Sequence, residues 1–186
     1  MKKVLIVYGS RYGSTEEVSN KIVNILKEKE IDTSAINSKD LITENQPNLE
    51  EYDGIIIGSG IKVGQWTKET KKFIENYLEF FKNSHIVLGV FVSSGLATNP
   101  EKIIELKKEY IENVLNQFGI TADLYDLFGG VLDLSKDSNI GFLGKKMIKM
   151  VSKEDPRVKP NQRNDLRDWN QIKQFTENYA NLLMEE

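Results

Sequence analysis

The amino-acid sequence predicts a doubly wound α/β fold: one five-stranded parallel sheet in the order 2-1-3-4-5, with helices on both faces. Short apolar segments alternate along the 186 residues with longer segments whose apolar residues recur at helical spacing. Three of the apolar segments are nearly continuous runs, which is typical of strands covered on both faces in a parallel sheet. We expect a single domain over residues 1–186, with an extra basic helical insert at about residues 132–165, before the last helix.

Each element follows from a local pattern. The predicted strands are Val4–Tyr8, Ile31–Ile36, Tyr52–Gly58, Ile86–Val92 and Ala122–Val131. The predicted helices are Thr15–Lys29, Thr67–Phe81, Pro100–Phe118 and Leu166–Met184. Pro100 suits the first turn of its helix because the first backbone N–H groups have no partner there. The polar stretch Asn37–Glu51 is predicted to be a loop.

Composition excludes several classes of function. The chain has no cysteine and one histidine, so disulfides, thiolate nucleophiles and iron–sulfur ligation are excluded, and no metal site is predicted. A net charge of −3 gives no general signature of nucleic-acid binding. No apolar run reaches the length of a membrane span, and the N-terminus enters a strand rather than a signal peptide. We expect a protein of the cytoplasm.

The loop after the first strand is predicted to hold a phosphate. A helix follows this loop at once, and the first N–H groups of a helix, at the positive end of its dipole, form a natural anion site. The candidate binding residues are Ser10, Arg11, Tyr12, Gly13, Ser14 and Thr15. The letters do not fit a nucleotide-hydrolysing P-loop, which needs a lysine after the second glycine, nor the G-x-G-x-x-G dinucleotide fingerprint.

Two further loops at the same predicted sheet edge are also rich in glycine and small hydroxyl residues. From the loop after the third strand we assign Ser59, Gly60, Ile61, Lys62, Val63, Gly64 and Trp66 to the binding site. From the loop after the fourth strand we assign Ser93, Ser94, Gly95, Leu96 and Ala97. Ligands of doubly wound folds bind outside the carboxyl ends of the strands, so these loops and the phosphate loop are expected to meet.

The segment S-R-Y-G-S-T resembles the [ST]-x-[ST]-G-x-T pattern with which flavodoxins wrap the phosphate of FMN, with Tyr12 in place of the middle hydroxyl residue. The segment Y-D-G-I-I-I-G-S-G-I-K-V-G is similar to one in the menaquinone-dependent, oxygen-independent protoporphyrinogen oxidases, a branch of the flavodoxin superfamily. The later segment F-L-G-K-K-M-I-K-M (residues 142–150) and the R-D-W at residues 167–169 are also similar to segments of these oxidases. This resemblance implies a flavodoxin-like fold, FMN bound without a covalent link, and electron transfer from a tetrapyrrole precursor of heme to a quinone.

The sequence leaves the roles of three loop residues open. Trp66 is the one aromatic residue available to pack on a flavin ring, but it equally suits a core position at the start of a helix. Lys62 can place a positive charge near the flavin or extend into solvent. Arg11 can contact the phosphate or extend into solvent. The related family has a second aromatic where this chain has Val63.

The stretch Asn139–Arg163 carries five more basic than acidic residues in a chain of net charge −3. Apolar residues between Ile140 and Val151 fall at helical spacing, so a basic amphipathic helix is predicted. Such a helix can contact an anionic membrane, which would place the protein at the inner face of the membrane, or an acidic redox partner. It can equally pack beside the sheet with its lysines in water.

Two classes of function remain open. The first is an FMN-dependent oxidoreductase of the protoporphyrinogen-oxidase type, and the second is a flavodoxin-type electron carrier between redox partners. An FMN-dependent quinone reductase fits the same site. No catalytic residue is named, because the flavin would perform the chemistry. The sequence fixes neither the substrate nor the oligomeric state.

Overall fold

The computed structural model describes residues 1–41, 46–95, 97, 100–136 and 156–185. The strands of the main sheet are β1 (Lys3–Gly9), β2 (Asp32–Asn37), β3 (Gly54–Gly60), β4 (Val87–Ser94) and β5 (Leu124–Gly129). The helices are α1 (Ser14–Glu28), α2 (Lys68–Asn76), α3 (Leu78–Asn83), α4 (Ile103–Lys107), α5 (Asn113–Phe118) and α6 (Trp169–Glu185). Short 3-10 segments are formed by Ser38–Leu41, Leu49–Glu51 and Pro100–Lys102.

The five strands of the main sheet are parallel and lie in the order β2-β1-β3-β4-β5, which confirms the predicted order. Successive residues of β1 alternate between the two faces of the sheet. Leu5 and Val7 belong to a core covered by residues of α2 to α5, whereas Val4 and Ile6 belong to a core covered by α1 and α6. Both faces are therefore covered, as the nearly continuous apolar strands predicted.

Two of the predicted helices are interrupted. The segment predicted as one helix from Thr67 to Phe81 is divided at Tyr77, whose φ of −112° is not helical and whose hydroxyl donates to the Pro47 carbonyl at 2.8 Å. The helix predicted from Pro100 to Phe118 begins with a 3-10 turn and contains a π-helical segment, Lys108–Glu112, between α4 and α5.

The fifth strand was predicted to end at Val131, but β5 ends two residues earlier, at Gly129, because the chain leaves the main sheet at Gly130. A side chain at Gly129 would strike the Leu166 carbonyl, and one at Gly130 would press on the backbone of Gly95. After this close passage, β6 (Val131–Asp133) pairs with β7 (Arg163–Asp165) as an antiparallel hairpin base. Residues 137–155, which include most of the predicted basic helix, lie outside the described residues.

The last helix begins three residues later than predicted, at Trp169. Asp168 accounts for this boundary, because its Oδ1 accepts hydrogen bonds from the N–H groups of Asn170 and Gln171 at 2.8 and 3.2 Å. A carboxylate in this position satisfies first-turn donors that have no partner within the helix. The hairpin base has a small core of its own, formed by Leu132, Leu134 and Val158.

Candidate functional site

Three loops follow the carboxyl ends of β1, β3 and β4. We call them loop 1 (residues 10–13), loop 2 (residues 61–67) and loop 3 (residues 95–99), of which residues 95 and 97 are described. The chain passes from β1 outward to β2 and then returns to β3 on the other side of β1, so the order of strands reverses at loop 1. Ligands of doubly wound sheets bind at this position.

Loop 1 enters α1 through Gly13, whose φ of +88° favours glycine. Gly13 occupies the N-cap position without any side-chain hydrogen bond to the first turn, and its own N–H donates to Ser10 Oγ at 3.0 Å. The Glu17 N–H donates to the Gly13 carbonyl at 3.0 Å and opens the helical ladder. The N–H groups of residues 14–16 therefore have no partner within the helix and can serve a ligand.

The hydroxyl of Ser14 is the most informative atom at this helix end. It is buried, and within the described part of the chain it has no hydrogen-bond partner. An unpaired buried hydroxyl costs about 1–3 kcal/mol, and such a group calls for an explanation. A phosphate at the helix end would accept from both Ser14 Oγ and the free N–H groups. Gly60 leaves room beside Thr15, because a Cβ at residue 60 would lie 2.9 Å from Thr15 Oγ1.

Loop 2 carries a tight turn. Lys62 and Gln65 exchange backbone hydrogen bonds of 3.0 and 3.1 Å, and the two residues between them have positive φ angles, +51° at Val63 and +70° at Gly64. Two successive positive φ angles define a type I′ turn, which disfavours a β-branched residue. The Val63 side chain is 72% exposed at the tip of this turn. The structure thus presents a strained, apolar tip at the edge of the site.

Arg11 joins loop 1 to loop 2. Its Nη1 donates to the Gly60 carbonyl at 2.6 Å, and its Nη2 donates to the carbonyls of Trp66 at 2.8 Å and Gln65 at 3.4 Å. Burial lowers the pKa of Arg11, while the negative charge of Glu69 opposes that shift. The guanidinium contacts the protein backbone, which is neither of the two environments that the sequence suggested, phosphate or solvent.

A second link between the same loops is formed by Tyr12 and Lys62. Lys62 Nζ donates to the Tyr12 hydroxyl at 2.8 Å and lies 5.4 Å from the centre of the Tyr12 ring. The Tyr12 side chain is 51% exposed. Tyr12, which stands where flavodoxins have a hydroxyl residue, thus contacts loop 2 in this structure.

Loop 2 is tied to the end of β4, and loop 3 packs on the hairpin base. The Ile61 N–H donates to the Ser93 carbonyl at 2.9 Å, and Ser93 Oγ donates to the Gly129 carbonyl at 3.1 Å. Ser94 is buried, and its carbonyl accepts from the Ala97 N–H at 3.1 Å. Gly95 packs against Leu132 so closely that a side chain there would overlap it. Leu96, another predicted site residue, lies outside the described residues.

The structure favours the core interpretation of Trp66. Its side chain is 2% exposed and packs within the core beneath α2 to α5. Its indole N–H donates to the Tyr110 carbonyl at 2.5 Å, and Tyr110 lies in the π-helical segment. Because both ring faces are covered, Trp66 offers no face to a planar ligand. The expected contact of the Trp66 ring with a flavin is therefore corrected: the ring lies in the core and supports loop 2 from there.

Three further predicted site residues, Ser59 at the end of β3, Ile61 in loop 2 and Ala97 in loop 3, have buried or partly buried side chains. Ser59 is buried, and its Oγ accepts from the Thr67 N–H at 3.0 Å, which anchors the start of α2. Ile61 and Ala97 are partly buried against the same core as Trp66. These side chains support the loops from the core.

Sequence reasoning missed the structural role of Arg167. Its side chain is 1% exposed, and it donates to the Ser14 carbonyl at 3.1 Å and to Glu17 and Asp165 at 2.6 Å each. Its guanidinium carbon lies 4.5 Å from the centre of the Trp169 ring. Arg167 thus ties the hairpin base to the first turn of α1. An arginine just ahead of the last helix gave no signal of this contact in the sequence.

Across the described ranges, no group of three or more His, Cys, Asp or Glu side chains lies close enough to hold a metal ion. No helix among the described residues is long and apolar enough to cross a membrane.

A family model described as "Flavodoxin domain" matches residues 5–160 of this chain, and the chain belongs to that family. Among curated proteins, the chain is 24% identical to protoporphyrinogen IX dehydrogenase [quinone] of Escherichia coli K12 over 182 residues. That alignment covers 97% of this chain and 96% of the relative.

Solved structures share the fold. A flavodoxin from the domain Archaea superposes with a TM-score of 0.55 at 18% identity, and the match covers 98% of this chain and 99% of that one. Rubredoxin oxygen:oxidoreductase from Desulfovibrio gigas superposes with a TM-score of 0.59 at 13% identity, over all of this chain and 37% of that one. The flavodoxin fold implies a flavin cofactor, and the family and the fold together support a redox flavoprotein.

Proposed function

We propose that this protein binds FMN and acts as an oxidoreductase that resembles menaquinone-dependent protoporphyrinogen oxidase. The observation that carries the flavin assignment is the unpaired, buried Ser14 hydroxyl at the uncapped N-terminus of α1. A terminal phosphate supplies the acceptor oxygens that this hydroxyl and the neighbouring N–H groups need. FMN has such a phosphate, and riboflavin has none.

The chain's own residues would bind and orient the cofactor. Ser14 and the N–H groups of residues 14–16 would hold the phosphate, and Gly60 leaves the space between loops 1 and 2 open. The exposed tip of loop 2 at Val63 and the exposed ring of Tyr12 border the place expected for the flavin ring. When bound, the flavin supplies the electron-accepting group, which the side chains of this protein do not provide.

Two observations support an enzyme over an electron carrier. The curated relative that aligns over almost the full length of both chains is named for oxidation of protoporphyrinogen IX with a quinone. In addition, Trp66 is buried and Val63 occupies the loop tip, so loop 2 places no stacking aromatic over the flavin ring. A ring without such a cover is accessible to a substrate. We propose a reduced tetrapyrrole as the electron donor and a quinone as the acceptor.

The flavin assignment is tested by replacing Ser14. We expect Ser14→Ala to weaken FMN binding about ten-fold, the value of one hydrogen bond to a charged group, and to leave riboflavin binding unchanged. Ser84→Ala is the matched control, because Ser84 Oγ is the other buried hydroxyl without a partner in the described residues and lies just ahead of β4, at the opposite edge of the sheet. Equal FMN affinity in all three proteins, measured by fluorescence titration, would contradict the assignment.

The reaction is tested separately on the FMN-loaded protein. We expect oxidation of protoporphyrinogen IX to its porphyrin when a quinone is present, followed by porphyrin fluorescence. Reduction and reoxidation of the flavin without turnover of the porphyrinogen would instead identify an electron carrier. Rapid reduction of quinones by a nicotinamide donor would identify a quinone reductase.

We also propose that the basic stretch of residues 139–163 brings a cytoplasmic protein to an anionic membrane, where quinones reside. The excess of five positive charges supports this proposal. Arg163 contributes less than its formal charge, since it pairs with Glu17 at 3.0 Å. We expect flotation with anionic vesicles and none with neutral vesicles. Absence of the protein from the anionic vesicle fraction would remove the membrane proposal.

A further inference from the structure

We propose that Arg11 is a positioning residue for the flavin ring, which it serves by fixing the shape of loop 2 and not by binding the phosphate. This inference rests on the proposed binding of FMN and assigns a role inside that same site. The sequence places Arg11 in the middle of the phosphate loop, where a phosphate contact is the natural expectation. The geometry points to a different role.

The contacts of Arg11 span the whole of loop 2. Nη1 holds the Gly60 carbonyl at 2.6 Å at the start of the loop, and Nη2 holds the Trp66 carbonyl at 2.8 Å at its end. A planar guanidinium can bind two such groups at once because its donors point in fixed directions, whereas a lysine ammonium cannot reproduce that fork. Arg11 therefore brings the two ends of loop 2 together from the side of loop 1.

The other attachments of loop 2 lie on its far side. Its first residue is tied to the end of β4 through the Ile61 N–H and the Ser93 carbonyl, and its end is tied to the π-helical segment through Trp66 and Tyr110. Loop 1 contacts loop 2 in two places. The hydrogen bonds from Arg11 to the Gly60 and Trp66 carbonyls are partly buried, whereas the contact between Tyr12 and Lys62 is exposed. Without Arg11, loop 2 keeps these outer attachments and the exposed contact between Tyr12 and Lys62, but it loses its half-buried attachment to loop 1.

The strained tip of loop 2 needs this support. Val63 has a positive φ of +51°, a conformation that a β-branched residue rarely adopts. Strained backbone persists where the surrounding structure fixes it from several sides, and such strain concentrates at ligand sites. Since Arg11 holds the residues on both sides of the turn, it restricts the tip to the conformation that borders the flavin position.

The electrostatics agree with a contact to the backbone. Among the residues that the structure describes, Arg11 forms no ion pair with a carboxylate, and its hydrogen bonds go to neutral carbonyls. Burial lowers the pKa of Arg11, and the negative charge of Glu69 opposes that shift. The guanidinium is partly desolvated where it holds loop 2. If it bound the phosphate instead, its three hydrogen bonds to the carbonyls of loop 2 and Gly60 would be lost.

The comparison of two ligands separates the two roles. FMN and riboflavin share the ring and differ by the phosphate. If Arg11 positions the ring through loop 2, Arg11→Met weakens FMN and riboflavin by the same factor, about ten-fold, and the ratio of the two affinities stays that of the wild type. Arg11→Lys, which retains the charge but not the fork, weakens both as well.

The opposite results would overturn the proposal. A loss confined to FMN, or full FMN affinity in Arg11→Lys, would assign Arg11 to the phosphate. Unchanged affinity for both ligands in Arg11→Met would also overturn it. Ser14→Ala serves as the reference for a phosphate contact, since it should weaken FMN alone. If the wild-type protein bound neither FMN nor riboflavin, the proposed function would fail. Amide hydrogen exchange would still test whether Arg11 fixes the shape of loop 2.

Amide hydrogen exchange without any ligand provides that second readout. We expect the amides of residues 61–66 to exchange about ten-fold faster or more in Arg11→Lys and Arg11→Met than in the wild type, and the amides of α1 to keep their protection. The Lys variant keeps this test open should the Met variant fold poorly. Unchanged exchange in loop 2 of the folded Lys variant would contradict the positioning role.

Discussion

Two arginines flank the N-terminus of α1, and they are held in opposite ways. Arg11 donates to three neutral carbonyls of loop 2, and burial lowers its pKa. Arg167 is buried by the hairpin base and donates to Asp165, Glu17 and the Ser14 carbonyl. Burial alone would lower the pKa of Arg167, but the hydrogen bonds that it donates to both carboxylates outweigh burial, so its pKa is raised.

The difference shows how one helix end can combine anchoring and binding. On the hairpin side, the charge of Arg167 is compensated by two carboxylates, so this contact serves the fold. On the loop 2 side, Arg11 contacts no carboxylate within the described residues and donates to neutral carbonyls, so this contact fixes the shape of a loop at the candidate site.

The largest effect is expected from removing Arg167. Arg167→Met leaves Asp165 without the arginine that it pairs with and leaves Glu17 with the exposed Arg163 alone, which should lower the free energy of unfolding by about 3 kcal/mol. Both carboxylates are partly exposed, which keeps the loss at the lower end for a broken pair. Urea unfolding measures this loss. Arg163→Met, which removes the exposed partner of Glu17, is the control and should cost less than about 1 kcal/mol.

The next largest effect is expected from relieving the backbone strain at Val63 in loop 2, which should raise the free energy of unfolding rather than lower it. Val63→Asn places a residue that tolerates positive φ at the strained position, and it should raise the free energy of unfolding by about 1 kcal/mol. Glu30→Asn is the matched control, because Glu30 has a φ of +61° after α1, away from the loops. Both variants should be more stable in urea, and a loss of stability in Val63→Asn would refute the strain argument.

The pH dependence of the hairpin contact should be smaller. The hydrogen bond from Arg167 holds the pKa of Asp165 below its usual value. A lowered folded-state pKa gives stability that is present above the unfolded pKa of about 3.9 and is lost as the pH falls through the folded pKa. Asp165→Asn should therefore be less stable than the wild type at pH 7 by about 1 kcal/mol, since Asp165 is partly exposed. Unfolding curves at several pH values should show this gap closing below pH of about 4, and a constant gap would contradict the assignment.

The smallest effect on stability is expected from Arg11. Its partners are backbone carbonyls near solvent, and water can replace the guanidinium there, so Arg11→Met should lower the free energy of unfolding by less than about 1 kcal/mol. The comparison thus predicts that Arg167 matters for unfolding and Arg11 for flavin affinity. A loss of stability in Arg11→Met as large as that in Arg167→Met would remove the distinction between the two sides.

The fold could be predicted because the signals that set it are periodic. Apolar runs such as Tyr52–Gly58 mark buried parallel strands, and the order of strands follows from that architecture. The breaks escaped prediction because each depends on a tertiary contact. Tyr77 interrupts a helix where its hydroxyl reaches Pro47, and the π-helical segment presents the Tyr110 carbonyl to Trp66.

At the candidate site, the sequence predicted which loops lie near one another but not where their long side chains lie. Glycines mark where parts of the chain approach one another closely, as at Gly60 beside Thr15. They do not show where a long side chain goes, so Arg11 and Trp66 were left open. Their partners are backbone carbonyls at 2.6 and 2.5 Å, and carbonyls leave no mark in a sequence.

The most direct test of the account is a calorimetric titration of the flavin-free wild-type protein with FMN and, in parallel, with riboflavin. A phosphate site in loop 1 predicts one FMN bound per chain and at least about a hundred-fold weaker binding of riboflavin, because the helix end and the Ser14 hydroxyl act on the phosphate alone. Equal affinity for the two ligands, or binding of neither, would contradict the claim that loop 1 is a phosphate site.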